Sequence, residues 1–257
     1  MKAKQKHWAA QFAVIHCRWH GVLYAVGTAG FLRCIMEIIA HIQNDFTAKF
    51  GIPRQSGLVE EIPSRIVFTP PYRNADALRG LDSFSHLWLI WQFSETKAEK
   101  WSPTVRPPRL GGNTRMGVFA TRSPYRPNPV GLSSVKLVGI DWNTPDGPVL
   151  TVTGADLLNG TPIYDIKPYL AYTDSHPDAT GGFAFGPGQG AVEVCCPPAL
   201  LEKLPPQKRQ ELLALLREDP RPGYQKDPQR VYGMEYAGYD VRFTVDQGIL
   251  TVVEING

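Results

Sequence analysis

The strongest constraint on the fold is a succession of short β-rich segments that are separated by turn residues. Gly, Pro, Asn or Asp stands between the segments. They cover residues 36–43, 63–70, 86–93, 115–121, 132–140, 148–154 and 161–167. Short strands at this spacing, without long helices between them, are typical of an antiparallel barrel or sandwich. The pattern therefore predicts a mainly β fold.

The sequence lacks the glycine motifs of the common nucleotide-binding folds. No G-x-G-x-x-G follows a strand, and neither a P-loop nor a G-x-S-x-G motif occurs. The Gly-rich stretch 181–190 (GGFAFGPGQG) has no strand–helix context, so it is interpreted as a linker. A Rossmann cofactor domain is therefore not expected.

The segment after this linker changes from strand to helix periodicity. Leucines at spacings near three and four predict an amphipathic helix that begins after Pro205–Pro206. Two strands are predicted to follow it, near 231–236 and 239–254. The predicted organisation is a β-barrel over 36–180, a linker over 181–190 and a small α+β domain over 191–257.

The N-terminal 35 residues differ in composition from the rest of the chain. They hold five basic residues and no acidic one, whereas the whole chain has a net charge of only +3. The strand pattern begins at Met36. We therefore interpret residues 1–35 as an extension outside the native fold, with Met36 as the natural start. The apolar run from Gly21 to Leu32 is too short to span a bilayer, so no membrane segment is predicted.

The cysteines and histidines give little support to a metal site. The four cysteines, at positions 17, 34, 195 and 196, form no C-x-x-C motif, which favours a reducing compartment and no zinc. His86 opens an apolar strand, where a hydrogen-bonded structural histidine is more common than a ligand. An alternative function from another class is a metal hydrolase that uses His86, His176 and Asp174.

The segment from Trp101 to Leu132 is unusually rich in arginine. Five arginines alternate with prolines and glycines, and no Asp or Glu occurs between residues 100 and 140. Pro fixes φ and Gly permits positive φ, so such a run forms rigid, sharply turned loops. Planar guanidinium groups on rigid loops suit phosphates and carboxylates. A solvated basic loop without a ligand is the alternative.

Several long motifs in order resemble one family, the TsaA-like proteins, and within it the TrmO branch of tRNA (adenine-N6)-methyltransferases. The match runs from Met36 to the C-terminus. Its pieces are IPRQSGLV at 52–59, PPYRNADALRGLDSFSHLWLIWQF at 70–93, PTVRPPRLGGNTRMGVFATRSPYRPNPVGLS at 103–133, LNGTPIYDIKPYL at 158–170 and EDPRPGYQK at 218–226.

The resemblance implies a cytoplasmic homodimer with a β-barrel that binds S-adenosyl-L-methionine without a Rossmann sheet. It implies methylation of N6 of threonylcarbamoyladenosine at position 37 of tRNA, beside the anticodon (t6A to m6t6A). The cofactor contacts that it implies are Gln55, Ser56, Gly57, Glu95, Thr96, Arg122, Leu132, Thr153, Gly154, Ala155 and Asp156.

Methyl transfer from a sulfonium is an in-line displacement, so positioning supplies most of the catalysis. An oxygen that accepts the N–H of the exocyclic amine would align its lone pair, and Asp156, Asn159 and Asp165 are all candidates. The predicted substrate-binding residues are Arg106, Arg109, Arg115, Tyr125, Arg126 and Arg221. A flipped base would stack on Tyr125 or Tyr72. A non-catalytic tRNA-binding module is the alternative that remains open.

Overall fold

The computed structural model divides the chain into two compact units, Met1–Glu37 and Ile38–Gly257. It describes residues 17–19, 22–26, 32–34, 36–95, 101–184, 191–221 and 227–257. In the first unit, strands β1 (Cys17–Trp19), β2 (Val22–Val26) and β3 (Leu32–Cys34) form an antiparallel sheet in that order. Most of the predicted extension 1–35 lies outside the described residues, and its interpretation stays a prediction.

The second unit begins with eight strands, six of which close into a barrel. The eight are β4 (Ala40–Gln43), β5 (Pro63–Phe68), β6 (His86–Gln92), β7 (Thr104–Val105), β8 (Met116–Gly117), β9 (Val130–Thr144), β10 (Gly147–Thr153) and β11 (Pro162–Pro168). The barrel order is β10-β5-β4-β11-β6-β9, and β7 pairs with β8 as a separate ribbon. The prediction of a mainly β fold with a barrel is confirmed.

Side chains at alternate positions of the strands fill the barrel. Leu87, Leu89 and Trp91 of β6 are buried, and they join residues of the other barrel strands in one hydrophobic cluster. On β9 the inward positions include Ser133, which is fully buried. The residues between them face outward, as the twofold alternation of a strand requires. The outward side chains take no part in the barrel core, so they are available to form a site on the outer face.

Strand β9 is long enough to pair with two neighbours in succession. Its first half pairs with β6 as far as Lys136, which lies opposite His86. Its second half pairs with β10 from the same residue onward, with Thr153 opposite Lys136. Directly opposed residues in antiparallel strands share a face of the sheet. The side chains of His86, Lys136 and Thr153 thus lie in one row across three strands.

The predicted strand at 115–121 was wrong over most of its length. Only Met116–Gly117 is extended, and Val118–Ala120 is a 3₁₀ turn. The Thr121 N–H and hydroxyl both donate to the Val118 carbonyl, at 3.1 and 2.9 Å. These local bonds satisfy the backbone without a partner strand.

The C-terminal part of the chain holds a four-stranded sheet and its helices. The elements are β12 (Glu193–Cys195), α2 (Pro198–Leu201), α3 (Pro206–Arg217), β13 (Tyr232–Tyr236), β14 (Tyr239–Asp246) and β15 (Ile249–Asn256), after the short α1 (Ala171–Asp174) that follows the barrel. The sheet order is β12-β15-β14-β13, with β12 parallel to β15. The helix after Pro205–Pro206 is confirmed. The single strand predicted at 239–254 was wrong, since β14 and β15 form a hairpin there.

The apolar residues of the segment between β4 and β5 pack on this C-terminal sheet. Its residues Phe46, Val59 and Ile62 belong to the hydrophobic cluster of α3 and the sheet. The Lys208 ammonium of α3 lies 2.5 Å from the Asp45 carboxylate and 2.8 Å from that of Glu211. Barrel and C-terminal sheet are therefore joined through residues 44–62.

Candidate active site

Three segments from distant parts of the sequence meet on the outside of the barrel. They are the loop around Ser56, the outer face of β9 and the end of β10. The Gly57 N–H donates to the Gly154 carbonyl at 2.9 Å, and the Ser134 N–H donates to the Ser56 hydroxyl at 3.2 Å. These two bonds fix the loop against the barrel wall.

The meeting point encloses a cavity of about 220 Å³ that is open to solvent. Its walls are Ser56, Gly57, Glu60, His86, Ser134, Lys136, Thr153 and Gly154. Four of the residues that the resemblance assigned to the cofactor are among them. The row across β6, β9 and β10 supplies three lining positions, which are His86, Lys136 and Thr153. Glu60 and Lys136 face each other with 3.7 Å between charged atoms.

A close approach of two backbones forms one wall of the cavity. Gly154 has a φ of +78°, and a Cβ added there would lie 3.3 Å from the Cα and N of Gly57. A side chain at position 154 would therefore meet backbone rather than a flexible neighbour, in a conformation that L residues rarely adopt. Glycine at this position lets the loop lie flat against the strand end.

Arg122 reaches this loop from the arginine-rich segment. Its guanidinium donates to the amide oxygen of Gln55. Both residues are exposed. The contact places two predicted cofactor residues side by side, although 67 positions separate them in the chain.

Asp156 lies at the inner edge of the site and is held by a chain of hydrogen bonds. The Ser133 hydroxyl donates to its carboxylate at 2.5 Å, and the Trp91 indole N–H donates to the Ser133 oxygen at 2.9 Å. Burial raises the pKa of Asp156, while the Ser133 hydrogen bond and the positive charge of Arg122 act against that rise. The structure thus provides a partly desolvated carboxyl group that is oriented by a buried hydroxyl.

The other two candidates for proton acceptor have different partners. The Asn159 side-chain oxygen accepts from the Asn44 N–H at 3.1 Å and so fixes the chain after β4. Asp165 forms an ion pair with Lys167 at 3.3 Å and accepts from the Ile166 N–H. Among the hydrogen bonds of the described residues, none joins either side chain to Asp156. The structure brings only Asp156 into contact with the cavity-forming loop and strand.

The remaining predicted cofactor residues that the structure describes are not among those that line the cavity. Leu132 lies on the outer face of β9, two residues before Ser134, and its side chain is 57% exposed. Ala155 is buried in the barrel cluster, where it acts as part of the wall. Glu95 pairs with Lys49 at 3.3 Å and does not line the cavity. Thr96 lies outside the described residues.

The arginine-rich segment is an exposed surface around the ribbon of β7 and β8. Arg106, Arg109 and Arg115 are exposed, and Arg126 donates to the Thr121 carbonyl at 3.2 Å. Tyr125 is 51% exposed, whereas Tyr72 packs against the barrel cluster.

Arg221 has a charged partner of its own. Its guanidinium donates twice to the Asp219 carboxylate, at 2.8 and 2.9 Å, and its side chain is largely buried. This bidentate pair neutralises most of its charge locally. The role of Arg221 in binding substrate stays a prediction.

His86 and Asp174 of the alternative metal site have other partners in the structure. His86 Nδ1 lies 3.0 Å from the Ser85 hydroxyl. The Asp174 carboxylate accepts from the Leu170 N–H and the Trp88 indole, and these bonds lower its pKa. Across the described residues, no group of three or more His, Cys, Asp or Glu could hold a metal ion. Nor does any helix in that part of the chain have the length and apolarity to cross a membrane.

Sequence reasoning did not predict Ser133, Trp91, Glu60, Ser134 or Lys136 as site residues. The alternation of side chains along β9 offered a signal for Ser133, because this polar residue occupies an inward position between Gly131 and Val135. Gly131 is required there, since a Cβ would come within 2.2 Å of the Trp91 ring that reaches Ser133. The other residues show no distinguishing pattern in the sequence.

Comparison with known proteins covers both parts of the second unit. The family model of the tRNA-methyltransferase O N-terminal domain matches residues 41–175. The model of the TrmO C-terminal domain matches residues 197–257. The chain belongs to the tRNA-methyltransferase O family. The resemblance inferred from the motifs is thereby confirmed.

Relatives within this family align over most of their length. The tRNA (adenine(37)-N6)-methyltransferase of Escherichia coli (strain K12) is 42% identical over 217 residues, which are 81% of this chain and 92% of that protein. A putative S-adenosylmethionine-dependent methyltransferase of Pseudomonas aeruginosa is 38% identical over 227 residues, 85% of this chain and 96% of that protein. The crystal structure of TrmO from Pseudomonas aeruginosa superposes with a TM-score of 0.69 at 31% identity, over 87% of this chain and 98% of that one.

Proposed function

We propose that the protein is an S-adenosylmethionine-dependent methyltransferase that acts on N6 of adenosine 37 in tRNA. One observation carries the proposal. Four residues that the family resemblance assigns to the cofactor, Ser56, Gly57, Thr153 and Gly154, line one open cavity, and Arg122 contacts Gln55 next to them. The relatives at 42% and 38% identity are named for this reaction and for this cofactor.

The lining of the cavity suits the proposed cofactor. Ser56 and Thr153 offer hydroxyl groups, and the glycine pair leaves backbone accessible to a ligand. The Glu60 carboxylate is complementary to a cationic group, and Arg122 to a carboxylate. S-adenosylmethionine has both an ammonium and a carboxylate, and when bound it supplies an electrophilic methyl group.

In the proposed reaction the S–CH₃ bond breaks while a bond forms between that carbon and N6 of adenine. The N6 proton is lost in the same process. We assign its acceptance to Asp156, whose carboxylate is oriented by Ser133 and whose raised pKa makes it a better base than an ordinary aspartate. Asn159 and Asp165 are then structural, in keeping with their contacts to Asn44 and Lys167.

The finer substrate in this proposal is N6-threonylcarbamoyladenosine, which would become its N6-methyl derivative (t6A to m6t6A). Its threonyl carboxylate is a planar anion that a guanidinium can bind in a bidentate manner. Arg106, Arg109, Arg115 and Arg126 supply such groups on the segment that contacts the cofactor loop through Arg122. They would also contact tRNA phosphates.

The proposed protein is a cytoplasmic homodimer. The cavity is small for a ligand site and open, and the exposed side chains of Leu58 and Leu132 lie next to its walls. A second copy over this face would bury these apolar groups and complete the site. Cys195 and Cys196 are both free, as a reducing compartment favours.

Transfer of a labelled methyl group to tRNA from cells that lack this gene tests the proposal. Digestion of the tRNA and mass spectrometry should show the methyl on threonylcarbamoylated adenosine 37. Equal methylation of tRNA without the threonylcarbamoyl group would refute the finer substrate. Tight tRNA binding without any transfer, together with no heat of cofactor binding in calorimetry, would instead identify a non-catalytic binding module.

A further inference from the structure

An exposed pair of aromatic rings stands beside the arginine-rich ribbon. The Phe119 side chain is 72% exposed and that of Trp101 is 50% exposed. Their ring centroids are 6.3 Å apart, and the ring planes differ by 23°. The two large apolar groups are thus stacked on each other at the surface, where their outer faces contact solvent.

The ribbon determines where this pair lies relative to the arginines. Thr104 pairs with Gly117, and the Val118 N–H donates to the Pro103 carbonyl at 3.0 Å, so the two rings flank the base of the ribbon. Arg106 and Arg115 follow directly after the last pair at its other end. At about 3.3 Å per residue along a strand, this places a cationic end within about 13 Å of Phe119.

The charge around the pair indicates the kind of partner. Residues 101–140 contain no Asp or Glu, so the surface is cationic without compensation from its own segment. Exposed aromatic faces among guanidinium groups are typical of surfaces that bind single-stranded nucleic acid, where bases stack and phosphates pair with cations. Arg122, three residues after Phe119, contacts the cofactor loop through Gln55.

We propose that Trp101 and Phe119 form a stacking platform for an unpaired nucleobase of the tRNA anticodon loop. The proposal rests on the proposed tRNA-methyltransferase function and adds a binding site to it. The rings stack on the face of a base, so this contact does not depend on the identity of the base. The ribbon arginines bind the phosphates on either side of that base. The platform thereby positions the loop over the cofactor cavity.

Binding of an anticodon stem–loop RNA to Trp101→Ala and Phe119→Ala variants tests the platform by fluorescence anisotropy across a salt series. Loss of one base stack should weaken binding by about 5- to 150-fold and leave the salt slope unchanged, because no charge is removed. Phe119→Trp should retain the affinity. Tyr172→Ala is the matched control, since Tyr172 is 88% exposed but lies in α1, outside the arginine-rich segment.

A second measurement distinguishes the loss of a base stack from a general folding defect of the variant. Loop bases are removed one at a time from the RNA, and each abasic RNA is bound to the wild type and to Phe119→Ala. At the stacked position the wild type should lose affinity while the variant does not, which demonstrates coupling between ring and base. The platform would be overturned if both variants bound the RNA with the affinity of the wild type. It would also be overturned if removal of each loop base weakened binding to the wild type by the same factor.

Three further outcomes separate this inference from the function on which it rests and from a contact between copies of the chain. If the wild type transfers methyl groups to tRNA while the ring variants bind RNA normally, only the platform is refuted. If the ring variants instead become monomeric in sedimentation and keep their RNA affinity as monomers, the pair is a contact between copies of the chain. Absence of methyl transfer by the wild type refutes the proposed function itself.

Discussion

The Ser133 hydroxyl donates a 2.5 Å hydrogen bond to the Asp156 carboxylate, and the Trp91 indole N–H in turn donates to Ser133. Because Ser133 is fully buried, the carboxylate is held by a group that water does not replace. Asp156→Asn should lower kcat by about 10²- to 10⁴-fold, the usual contribution of a positioned proton acceptor. Cofactor affinity, measured by calorimetry, should change far less.

Ser133→Ala should reduce kcat less than Asp156→Asn does, because the acceptor remains but loses its orienting donor. Ser64→Ala is the matched control, since Ser64 is an equally buried barrel serine whose hydroxyl has no hydrogen-bond partner in the structure. Its removal should leave both kcat and KM unchanged. A loss of activity in the Ser64 variant equal to that of Ser133→Ala would show that the barrel interior as a whole is sensitive.

The pH dependence of the reaction should report the environment of Asp156. Burial raises its pKa, so the acid limb of the kcat profile should lie above the ordinary range of an aspartate. Ser133→Ala removes a bond that favours the ionised form and should move this limb to higher pH. A limb that stays in place in the Ser133 variant would mean that another group titrates.

The free energy of unfolding should also depend on pH, because the pKa of Asp156 is raised in the folded protein. A raised pKa favours the neutral form in the folded protein, so this contribution is complete below the unfolded-state pKa and is lost as the pH rises through the folded-state pKa. The unfolding free energy of Asp156→Asn relative to wild type should therefore increase across that interval and then become constant. Urea denaturation at several pH values measures it.

Arg122→Ala and Arg126→Ala should fail in different ways. Arg122 contacts Gln55, the neighbour of the cavity residue Ser56, and loss of a charged hydrogen bond should weaken cofactor binding by roughly 10- to 150-fold. Arg126 should affect tRNA binding, with a salt slope lower by about one if a phosphate contact is lost. Calorimetry with the cofactor and anisotropy with tRNA across a salt series separate the two. Weakening of the cofactor alone in both variants would make this segment part of the cofactor site.

Gly154→Ala tests the close approach of two backbones at the cavity wall. The added Cβ would lie 3.3 Å from Gly57 at a φ of +78°, so the loop should be displaced and cofactor affinity reduced at least tenfold, or about 1.4 kcal/mol. Gly160→Ala is the control, because its φ is +77° but the added Cβ meets nothing within 4 Å. Both variants should lose about 1 kcal/mol of stability from backbone strain. Equal cofactor affinities in the two variants would contradict the steric argument.

The hydroxyl of Tyr236 donates to the Glu211 carboxylate in the core that joins α3 to the C-terminal sheet. Tyr236→Phe should destabilise the protein by about 1–3 kcal/mol in urea denaturation, because a buried charged acceptor loses a donor. Tyr239→Phe, at the other side of the same turn and only partly buried, should have little effect.

The barrel strands were predictable because their outward and inward residues alternate and turn residues separate them. The hairpins of the C-terminal sheet were less visible. Gln247 with Gly248 and Ala237 with Gly238 make two-residue turns in which both residues have positive φ, a conformation usually associated with Asn-Gly or Asp-Gly. Local sequence signals therefore failed where an unusual residue adopts a turn that the flanking strands impose.

The site was predictable only in part. The segments that form the cavity were assigned from their resemblance to a family, and no periodicity marked them. The contact between Ser133 and Asp156 depends on the register of the β9–β10 hairpin, in which Lys136 lies opposite Thr153. That register shifts between Gly147 and Val149 and again between Thr151 and Val152. Such irregularities change which residues lie opposite each other, so a regular alternation of side chains does not predict this contact.

The loop that carries Gln55, Ser56 and Gly57 is anchored at both ends, and one anchor belongs to the C-terminal part. The Arg54 guanidinium donates to the carbonyls of Asp219 and Arg221, at 2.7 and 2.5 Å. The barrel and the C-terminal part of the chain thus both fix the position of this short loop. Substitutions of Asp219, whose carboxylate pairs with Arg221, should appear in genetic screens as defects in cofactor use, and natural variation there offers a means to adjust affinity without altering the barrel.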